Sequence, residues 1–356
     1  INLTNSGIQG TLYEFTFLSF PNLEYVDLSL NQLFGAIPPQ ITSLSKLIYL
    51  DLSYNQFSGK IPPEIGLLNN LQLLHLNENQ LNGSIPREIG QLKFLNELAL
   101  QTNNLQGAIP PSFGNLKHLT TIYLYNNQLS GSLPSEIGNL KSLVELCIDN
   151  NNLSGPIPSS LGDLTNLTLL YLFKNNLSGT IPKEIGNLKS IVDLELSQNQ
   201  LNGSIPTSLG DLSNLEKLFL SANKLSGSIP QDFLANFSNL RVLDLRYNNI
   251  SGPIPVSFAN FSNLRVLDLK SNDISGPIPG SFANFPNLRV LDLKSNHISD
   301  PIPRSFANFP NLRQLDLSSN PISDPIPGFF ANFSKLTSLS LSDCQLNGRF
   351  PKEIFQ

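Results

Sequence analysis

Leucine and isoleucine alternate with polar residues in short stretches that recur every 24 residues along the chain. In the stretch Leu50-Asp51-Leu52-Ser53, the leucines would face one side of an extended segment and the polar residues the other. Such alternation is typical of a β-strand with one buried face. Because equivalent strands in consecutive repeats are joined by a full crossover and run in the same direction, the pattern predicts a parallel sheet.

An asparagine follows each of these strands, at the point where the chain has to turn. Its amide can both donate and accept hydrogen bonds, so stacked asparagines are predicted to form a buried ladder that satisfies backbone groups in the turns. A glycine four residues further on suits a positive φ or a close backbone approach. The asparagine column, with Ser6 and Cys344 at its two ends, contains Asn31, Asn55, Asn79, Asn103, Asn127, Asn151, Asn175, Asn199, Asn223, Asn248, Asn272, Asn296 and Asn320.

The rest of each repeat is a short return segment that follows an Ile-Pro pair, such as Pro63 to Leu71 after Ile61-Pro62. It is too short for a long helix and predicts a turn or a 3₁₀ segment on the outside. Because the strand on one side of each repeat is thinner than the return segment on the other side, a stack of such repeats is curved. The sequence therefore predicts an α/β solenoid of about 14–15 repeats of 24 residues, a horseshoe or superhelix with a parallel sheet on its concave face and 3₁₀ and turn segments on its convex face.

The repeat at residues 143–158, LVELCIDNNNLSGPIP, resembles the plant-specific class of leucine-rich repeat, and the resemblance covers essentially the whole chain. Residues 1–231 resemble the ectodomains of plant receptor-like kinases that perceive secreted peptides. The tail from residue 331 is closer to the kinase-less receptor-like proteins of plant immunity. The resemblance implies an extracellular ectodomain that binds a secreted peptide or protein on its concave or lateral face. It also implies a leucine-rich-repeat co-receptor kinase as a second partner.

Within this single solenoid, residues 1–231 contain diverged repeats, whereas residues 232–356 contain near-identical repeats followed by the tail. A surface shaped to one ligand would differ from repeat to repeat, so we expect the binding site in the earlier segment. No cysteine-paired cap of the resembled family is visible at either end, so we expect flanking sequence to be missing. About eight repeats separate Cys147 from Cys344, too far for a disulfide, and Cys147 is expected to face outward.

Composition excludes several classes of function. The net charge is −5, with no basic run dense enough to follow a nucleic-acid backbone. No apolar stretch approaches the length of a membrane-spanning helix, so no membrane contact is expected from this segment. The three histidines, His75, His118 and His297, lie in different repeats without a second ligand at metal spacing. No nucleophile motif or phosphate-binding loop occurs. We expect no enzymatic activity, no metal and no cofactor.

The strand positions predicted to point outward carry a cluster of aromatic and acidic side chains in the diverged repeats. Such a surface would suit an extended ligand that offers apolar groups to the rings and a Lys, Arg or amine to the carboxylates. The alternative is ordinary strand surface, since exposed aromatic residues are common in strands. The candidate ligand-binding residues are His75, Asn77, Glu97, Gln101, Tyr123, Tyr125, Glu145, Asp149, Tyr171, Phe173, Asp193, Glu195 and Phe219.

Ten Asn-x-Ser/Thr sequences are candidate N-glycosylation sites. A repeat rich in Asn and Ser also generates such sequences by chance. Together with the resemblance, they favour a secreted, apoplastic location. The ten positions are Asn2, Asn82, Asn152, Asn166, Asn176, Asn202, Asn236, Asn249, Asn260 and Asn332.

The late repeats carry a column of aspartates beside a column of basic residues, which predicts an exposed salt-bridge ladder. The aspartates are Asp244, Asp268, Asp292 and Asp316, and the basic residues are Arg246, Lys270 and Lys294. Many peptide receptors of the resembled family hold a ligand carboxylate with an Arg-x-Arg pair. No repeat has such a pair at the two strand positions. Recognition that depends on such a clamp is therefore not expected.

Three other interpretations remain open. An extracellular inhibitor of a cell-wall-degrading enzyme would use the same concave face, although the known inhibitors are shorter and cysteine-capped. A structural or ice-binding solenoid would need flat and regular outward columns, and these columns are irregular. A designed or recombined scaffold would explain the near-identical late repeats and the absence of Met and Trp.

Overall fold

The computed structural model describes residues 1–231 and 237–355, which form short strands and 3₁₀ helices. The chain divides into two compact units, Ile1–Ser178 and Gly179–Gln356. This division falls among the diverged repeats. The sequence-based boundary at residue 231 is a different one, since it separates diverged repeats from near-identical repeats. The assignment of ligand recognition to residues 1–231 stays a prediction.

The strands predicted from the Leu-x-Leu alternation form a parallel sheet in each unit, which we call the first sheet. Strand residues pair with the residues 24 positions away, as Thr121 pairs with Glu145, or 25 positions away between Lys217 and Val242, so equivalent positions lie in rows. In the first unit the strands are Tyr25–Asp27, Tyr49–Asp51, Leu73–His75, Glu97–Ala99, Thr121–Tyr123, Glu145–Cys147 and Leu169–Tyr171. In the second unit they are Asp193–Glu195, Lys217–Phe219, Val242–Asp244, Val266–Asp268, Val290–Asp292, Gln314–Asp316 and Ser338–Ser340.

A second row of parallel strands follows the asparagine column. The sequence did not predict these strands. In the first unit these strands are Gln9–Gly10, Gln32–Gly35, Gln56–Lys60, Gln80–Ser84, Asn104–Gly107, Gln128–Ser132 and Asn152–Pro156. Asn176–Thr180 lies at the division between the units. The second unit contains Gln200–Gly203, Lys224–Gly227, Asn249–Gly252 and Asp273–Ile274. We call this row the second sheet.

The return segments are 3₁₀ helices, as predicted. Most of these helices follow an extended proline, such as Pro62 with φ −66° and ψ 129°, whose carbonyl accepts the backbone N–H of the third helical residue, here Ile65. In the first unit the helices are Phe17–Ser19, Pro39–Ser43, Pro63–Leu67, Arg87–Gln91, Pro111–Asn115, Ser135–Asn139 and Ser159–Asp163. In the second unit they include Lys183–Asn187, Thr207–Asp211, Val256–Asn260, Gly280–Asn284, Arg304–Asn308, Gly328–Asn332 and Lys352–Phe355.

The buried asparagine ladder is confirmed. Asn127 is 9% exposed, and its amide nitrogen donates to the carbonyls of Leu100 and Leu124 at 3.0 and 3.1 Å. Its amide oxygen accepts the backbone N–H of Leu105 at 3.0 Å. At the C-terminal end of the column, the thiol of Cys344 takes the place of the amide and lies 3.3 Å from the carbonyl of Leu317. Each asparagine therefore satisfies backbone groups of its own repeat and of the preceding repeat.

The residue before each of these column positions adopts the left-handed conformation, with φ between 50° and 57°. These residues are of many types, including Leu30, Thr102 and Lys174. The predicted positive φ of the glycines is also found, for example 75° at Gly59. A typical repeat thus contains two left-handed positions, one in the turn before the asparagine and one at the glycine of the following strand, and the sequence indicated only the second.

Candidate ligand-binding face

The register of the first sheet brings the predicted aromatic and acidic residues of the first unit together. Tyr123, Cys147 and Tyr171 pair in one row of adjacent strands. Two residues further along each repeat lie Tyr125, Asp149 and Phe173. We use the name first-sheet face for the outward side chains of the first sheet and of these following positions, within residues 25–173.

An open groove with a volume of about 440 Å³ lies on this face. Six of the predicted ligand-binding residues line it, together with Cys147 and Leu169. We call it the aromatic groove. Its predicted residues are Tyr123, Tyr125, Glu145, Asp149, Tyr171 and Phe173.

Two aromatic pairs form the walls of the aromatic groove. The ring centroids of Tyr123 and Tyr125 are 6.1 Å apart with an interplanar angle of 61°, and those of Tyr171 and Phe173 are 6.0 Å apart with an angle of 66°. Both arrangements are edge-to-face, the favoured geometry of aromatic pairs. The hydroxyl of Tyr123 also donates a hydrogen bond to the carboxylate of Glu145. Burial and this hydrogen bond raise the pKa of Tyr123, so its hydroxyl stays a donor.

Asp149 is the buried carboxylate of the aromatic groove, with an exposed fraction of 7%. Burial raises its pKa to about 6, although a hydrogen bond from its own backbone N–H and the charge of Lys174 act in the opposite direction. Lys174 is exposed, and its Nζ lies 6.0 Å from the centroid of the Phe173 ring. The carboxylate is therefore desolvated at a site where the chain supplies little compensating charge.

Changing Asp149 to asparagine is expected to stabilise the protein at pH 7 by about 1 kcal/mol, a value reduced for solvent screening. The folded pKa of about 6 exceeds the ordinary value of 3.8, so the folded state holds this proton more tightly than the unfolded state. The stability of the parent relative to the variant is therefore highest below pH 3.8 and is lost as the pH rises to about 6. Urea unfolding of both proteins between pH 4 and pH 8 measures this difference, and a constant difference would contradict it.

A second groove of about 320 Å³ contains four more predicted residues of the first-sheet face, His75, Asn77, Glu97 and Gln101. The imidazole of His75 lies between two carboxylates, with Nδ1 3.4 Å from Asp51 and Nε2 3.6 Å from Glu97. Burial alone would raise the pKa of Asp51, but hydrogen bonds from His75 and Ser53 bring it below its usual value. The sequence did not indicate a role for Asp51, because aspartate at this position is part of the repeat consensus.

The first-sheet face is acidic. Across the described residues 25–173, its outward positions include no Lys or Arg, and His75 is their one histidine. Its carboxylates are Asp27, Asp51, Glu97, Glu145 and Asp149. The resulting electrostatic potential favours a ligand with positive charge.

Three further predicted residues, Asp193, Glu195 and Phe219, belong to the second unit. The ammonium of Lys217 lies 2.7 Å from the carboxylate of Asp193, an ion pair that the sequence did not indicate. Burial raises the pKa of Glu195, which accepts the backbone N–H of Ser197 at 3.1 Å. Phe219 is half-buried. The structure thus places an ion pair among the predicted residues of this unit.

Several polar side chains at the outward strand positions are largely covered by their neighbours. Asn77, Gln101, Asp149 and Asp193 are each 9% exposed or less, and Cys147, which was expected to face outward, is 6% exposed. Adjacent strands are about 4.8 Å apart, so larger side chains in neighbouring repeats cover the short ones. Cys147 and Cys344 carry thiols and form no disulfide, as predicted.

The predicted salt-bridge ladder of the late repeats forms only in part. Arg246 lies 3.2 Å from Asp244 and 3.4 Å from Asp268. The ammonium of Lys270 instead lies 5.3 Å from the centroid of the Tyr247 ring. The aspartates are buried or half-buried, and each accepts the backbone N–H two residues further on, as Asp268 does from Lys270 at 3.1 Å. Their structural role is to close this turn.

The eight glycosylation candidates whose side chains are described are all exposed: Asn2, Asn82, Asn152, Asn166, Asn176, Asn202, Asn249 and Asn332. Asn236 and the side chain of Asn260 lie outside the described residues. Five of the eight, Asn82, Asn152, Asn176, Asn202 and Asn249, belong to strands of the second sheet. Glycans at these positions would leave from the second sheet and not from the first-sheet face.

The described part of the chain contains no group of three or more His, Cys, Asp or Glu residues placed to hold a metal ion. Within the same residues, no helix has the length and apolar character needed to cross a bilayer.

Leucine-rich-repeat models match the chain over a continuous region. The leucine rich repeat model matches residues 21–81, 263–322 and 286–346, and the leucine-rich repeat region model matches residues 82–172 and 123–251. A model of two repeat copies matches residues 238–280. A probable leucine-rich repeat receptor-like protein kinase of Arabidopsis thaliana is 62% identical over 40 residues, which are 11% of this chain and 4% of that kinase.

Solved structures of plant receptors share the fold. The plant peptide hormone receptor RGFR1 in complex with RGF2 is 33% identical with a TM-score of 0.87, and the match covers 98% of this chain and 59% of that chain. The Arabidopsis receptor kinase HAESA, in complex with the peptide hormone IDA and the co-receptor SERK1, is 32% identical with a TM-score of 0.80, covering 98% and 62%. A plant ice-binding protein is 32% identical with a TM-score of 0.59, covering 67% and 77%.

The chain thus spans less than two thirds of the two receptor structures and a small part of the curated kinase. The repeat models extend from residue 21 to residue 346. The parallel strands, the 3₁₀ returns and the asparagine ladder agree with these matches. The chain therefore belongs to the leucine-rich-repeat family and is of the plant receptor ectodomain type.

Proposed function

We propose that this chain is the ligand-recognition part of an extracellular plant receptor and binds a secreted peptide or protein on its first-sheet face. The observation that carries the proposal is the aromatic groove, in which two edge-to-face ring pairs line an open cavity around a buried carboxylate. Concave surfaces with apolar walls and a few polar groups are the usual form of binding sites. The receptors that share the fold include complexes with peptide hormones.

Signalling would take place outside this chain. The HAESA complex contains a co-receptor, SERK1, and by analogy we propose a leucine-rich-repeat co-receptor kinase as a second partner. Exposed Asn-x-Ser/Thr sites on the second sheet support an apoplastic location and would leave the first-sheet face open to both partners. We propose a binding role and no catalytic role, in line with the receptor ectodomains that the chain resembles.

The plant ice-binding protein offers a second candidate function on the same fold. An ice-binding surface requires regular, flat columns of similar side chains. The row that contains Asp51, His75, Tyr123 and Tyr171 changes in size, charge and shape from strand to strand. This irregularity favours recognition of a ligand with a varied sequence over recognition of a lattice.

The proposal is tested by capture of ligands from plant apoplastic fluid on the immobilised, glycosylated chain, followed by mass spectrometry. The test variant changes Tyr123, Tyr171 and Phe173 to alanine. We expect the parent to retain a defined peptide or protein and the variant to lose at least about tenfold in affinity, since hot-spot aromatic residues contribute about 2 kcal/mol or more each.

The matched control changes Tyr13 and Phe34 to alanine, because both are aromatic, about half exposed or more, and lie more than three repeats before the aromatic groove. This control should retain the same ligand as the parent. Far-UV circular dichroism of all three proteins would show that they are folded. If nothing is retained, or if the test variant retains the same partner, the first-sheet face is not the recognition surface.

A further inference from the structure

We propose that the aromatic groove is a subsite for a basic side chain of the ligand, a guanidinium or ammonium group that enters between the two ring pairs and pairs with Asp149. This inference rests on the proposed function for its peptide ligand, but it concerns the chemistry of one pocket and can be tested by itself. It specifies the class of side chain that the ligand must place against residues 123–173 of this chain.

The first argument is the state of the Asp149 carboxylate. The residue is 7% exposed and lines the groove. Within the described part of the chain, the hydrogen bond that affects its ionisation comes from its own backbone N–H. A buried carboxylate is normally paired with a cation or held by several donors. Asp149 therefore has unused capacity to accept hydrogen bonds from a group that enters the groove.

A comparison along the first-sheet face shows that this situation is unusual. Asp27 accepts hydrogen bonds from the hydroxyl and the backbone N–H of Ser29, at 2.7 and 3.1 Å. Asp51 is hydrogen-bonded to Ser53 and contacts His75. Glu145 accepts the hydroxyl of Tyr123. Each of these carboxylates has a partner within the chain.

The second argument is the set of rings around Asp149. Tyr125 and Phe173 occupy the equivalent positions in the preceding and following repeats, and Tyr123 and Tyr171 stand beside them. The negative face of an aromatic ring attracts a cation within about 6 Å. A planar guanidinium can stack on such a ring while its N–H groups form a bidentate contact with a carboxylate. The groove thus combines the two features that bind a basic side chain.

The third argument is the position of Lys174, the charged residue whose attraction lowers the pKa of Asp149. The two residues form no ion pair within the described part of the chain, and the ammonium lies 6.0 Å from the Phe173 ring centroid. The ring at the edge of the groove thus already attracts a cation from the chain itself. Lys174 would compete weakly with a ligand cation for this region and would not satisfy Asp149.

The test uses small molecules that carry the side chain alone, so the ligand itself does not have to be identified first. Nα-acetylarginine amide and Nα-acetyllysine amide carry the two cations, and Nα-acetylcitrulline amide has the shape of the first without its charge. Isothermal titration calorimetry of the full chain measures binding, and tyrosine fluorescence is a second readout because three of the eight tyrosines line the groove and the chain has no Trp. We expect a dissociation constant on the order of 1 mM for the arginine probe and at least tenfold weaker binding of the citrulline probe. The lysine probe shows whether the planar guanidinium is required.

Asp149→Asn should weaken binding of the arginine probe at least tenfold, whereas the exposed carboxylate variant Asp163→Asn should leave it unchanged. Lys174→Gln should strengthen binding about threefold by removing the competing cation. Because Asp149→Asn is expected to be the more stable protein at pH 7, loss of binding would not reflect unfolding. Equal binding of the arginine and citrulline probes, or unchanged binding by Asp149→Asn, would overturn the proposal.

This outcome is separable from that of the proposed function. If apoplastic capture depends on the aromatic residues but the probes bind without regard to charge, the receptor role stands and the basic subsite is wrong. If arginine binding requires Asp149 but no ligand is captured, the subsite stands and the receptor role loses its support.

Discussion

Replacing Asn127 by alanine is expected to lower the free energy of unfolding by about 4 kcal/mol, because several buried backbone groups lose their partner at once. The amide nitrogen of Asn127 donates to the carbonyls of Leu100, Leu124 and Tyr125 at 3.0 to 3.3 Å. Its oxygen accepts the N–H of Leu105. Alanine provides no donor or acceptor, and the turn excludes bulk water. Equilibrium urea unfolding of the full chain, monitored by circular dichroism, measures the change.

The matched control is Asn115→Ala. Asn115 has the same side chain but is exposed at the end of the helix Pro111–Asn115. Its replacement should change the free energy of unfolding by no more than about 0.5 kcal/mol. An effect of Asn127→Ala close to that of the control would mean that the ladder contributes little and that the strand register is held by leucine packing alone.

The second large effect is expected at Gly138, in the middle of the helix Ser135–Asn139. A Cβ atom at this position would lie 2.4 Å from the carbonyl oxygen and 2.6 Å from the Cβ of Ser160 in the next helix. Backbone atoms cannot move aside as the end of a flexible side chain can. Gly138→Ala should therefore destabilise the protein by about 3 kcal/mol in the same urea experiment.

Asn139→Ala serves as the control for this change, since Asn139 is the exposed neighbour in the same helix. The late repeats place Ala307 and Ala331 at the position equivalent to Gly138, beside Phe306 and Phe330. A neutral Gly138→Ala variant would show that the early helices accept alanine at this position as the late helices do.

The repeat pattern was sufficient to predict the strands, the 3₁₀ returns and the asparagine ladder, because each depends on residue types that recur in every repeat. The left-handed residue before each asparagine was not predictable in this way. Leu30, Thr102 and Lys174 share no preference for that conformation. The chain adopts it there because the following asparagine fixes the turn by hydrogen bonds to two repeats.

The sequence predicted which outward residues lie near one another but not how deeply they are buried. The 24-residue period places Tyr123 and Tyr171 on either side of Cys147, as the register confirms, and it places Asp149 between Tyr125 and Phe173. Burial of a short side chain depends on the size of residues 24 positions away. This is why the low exposure of Asp149 was missed, and the same holds for the ion pair of Lys217 with Asp193.

The asparagine ladder has a direction, and this matters while the chain is being synthesised. The backbone N–H of Leu129 donates to the side chain of Asn151, which lies 22 residues later, and Asn151 in turn donates back to the carbonyl of Leu124. A repeat leaving the ribosome therefore lacks acceptors for its turn until the next repeat has emerged. Native structure would grow from the N-terminus with a delay of one repeat. The last repeat of a nascent chain would therefore always lack part of its hydrogen bonds.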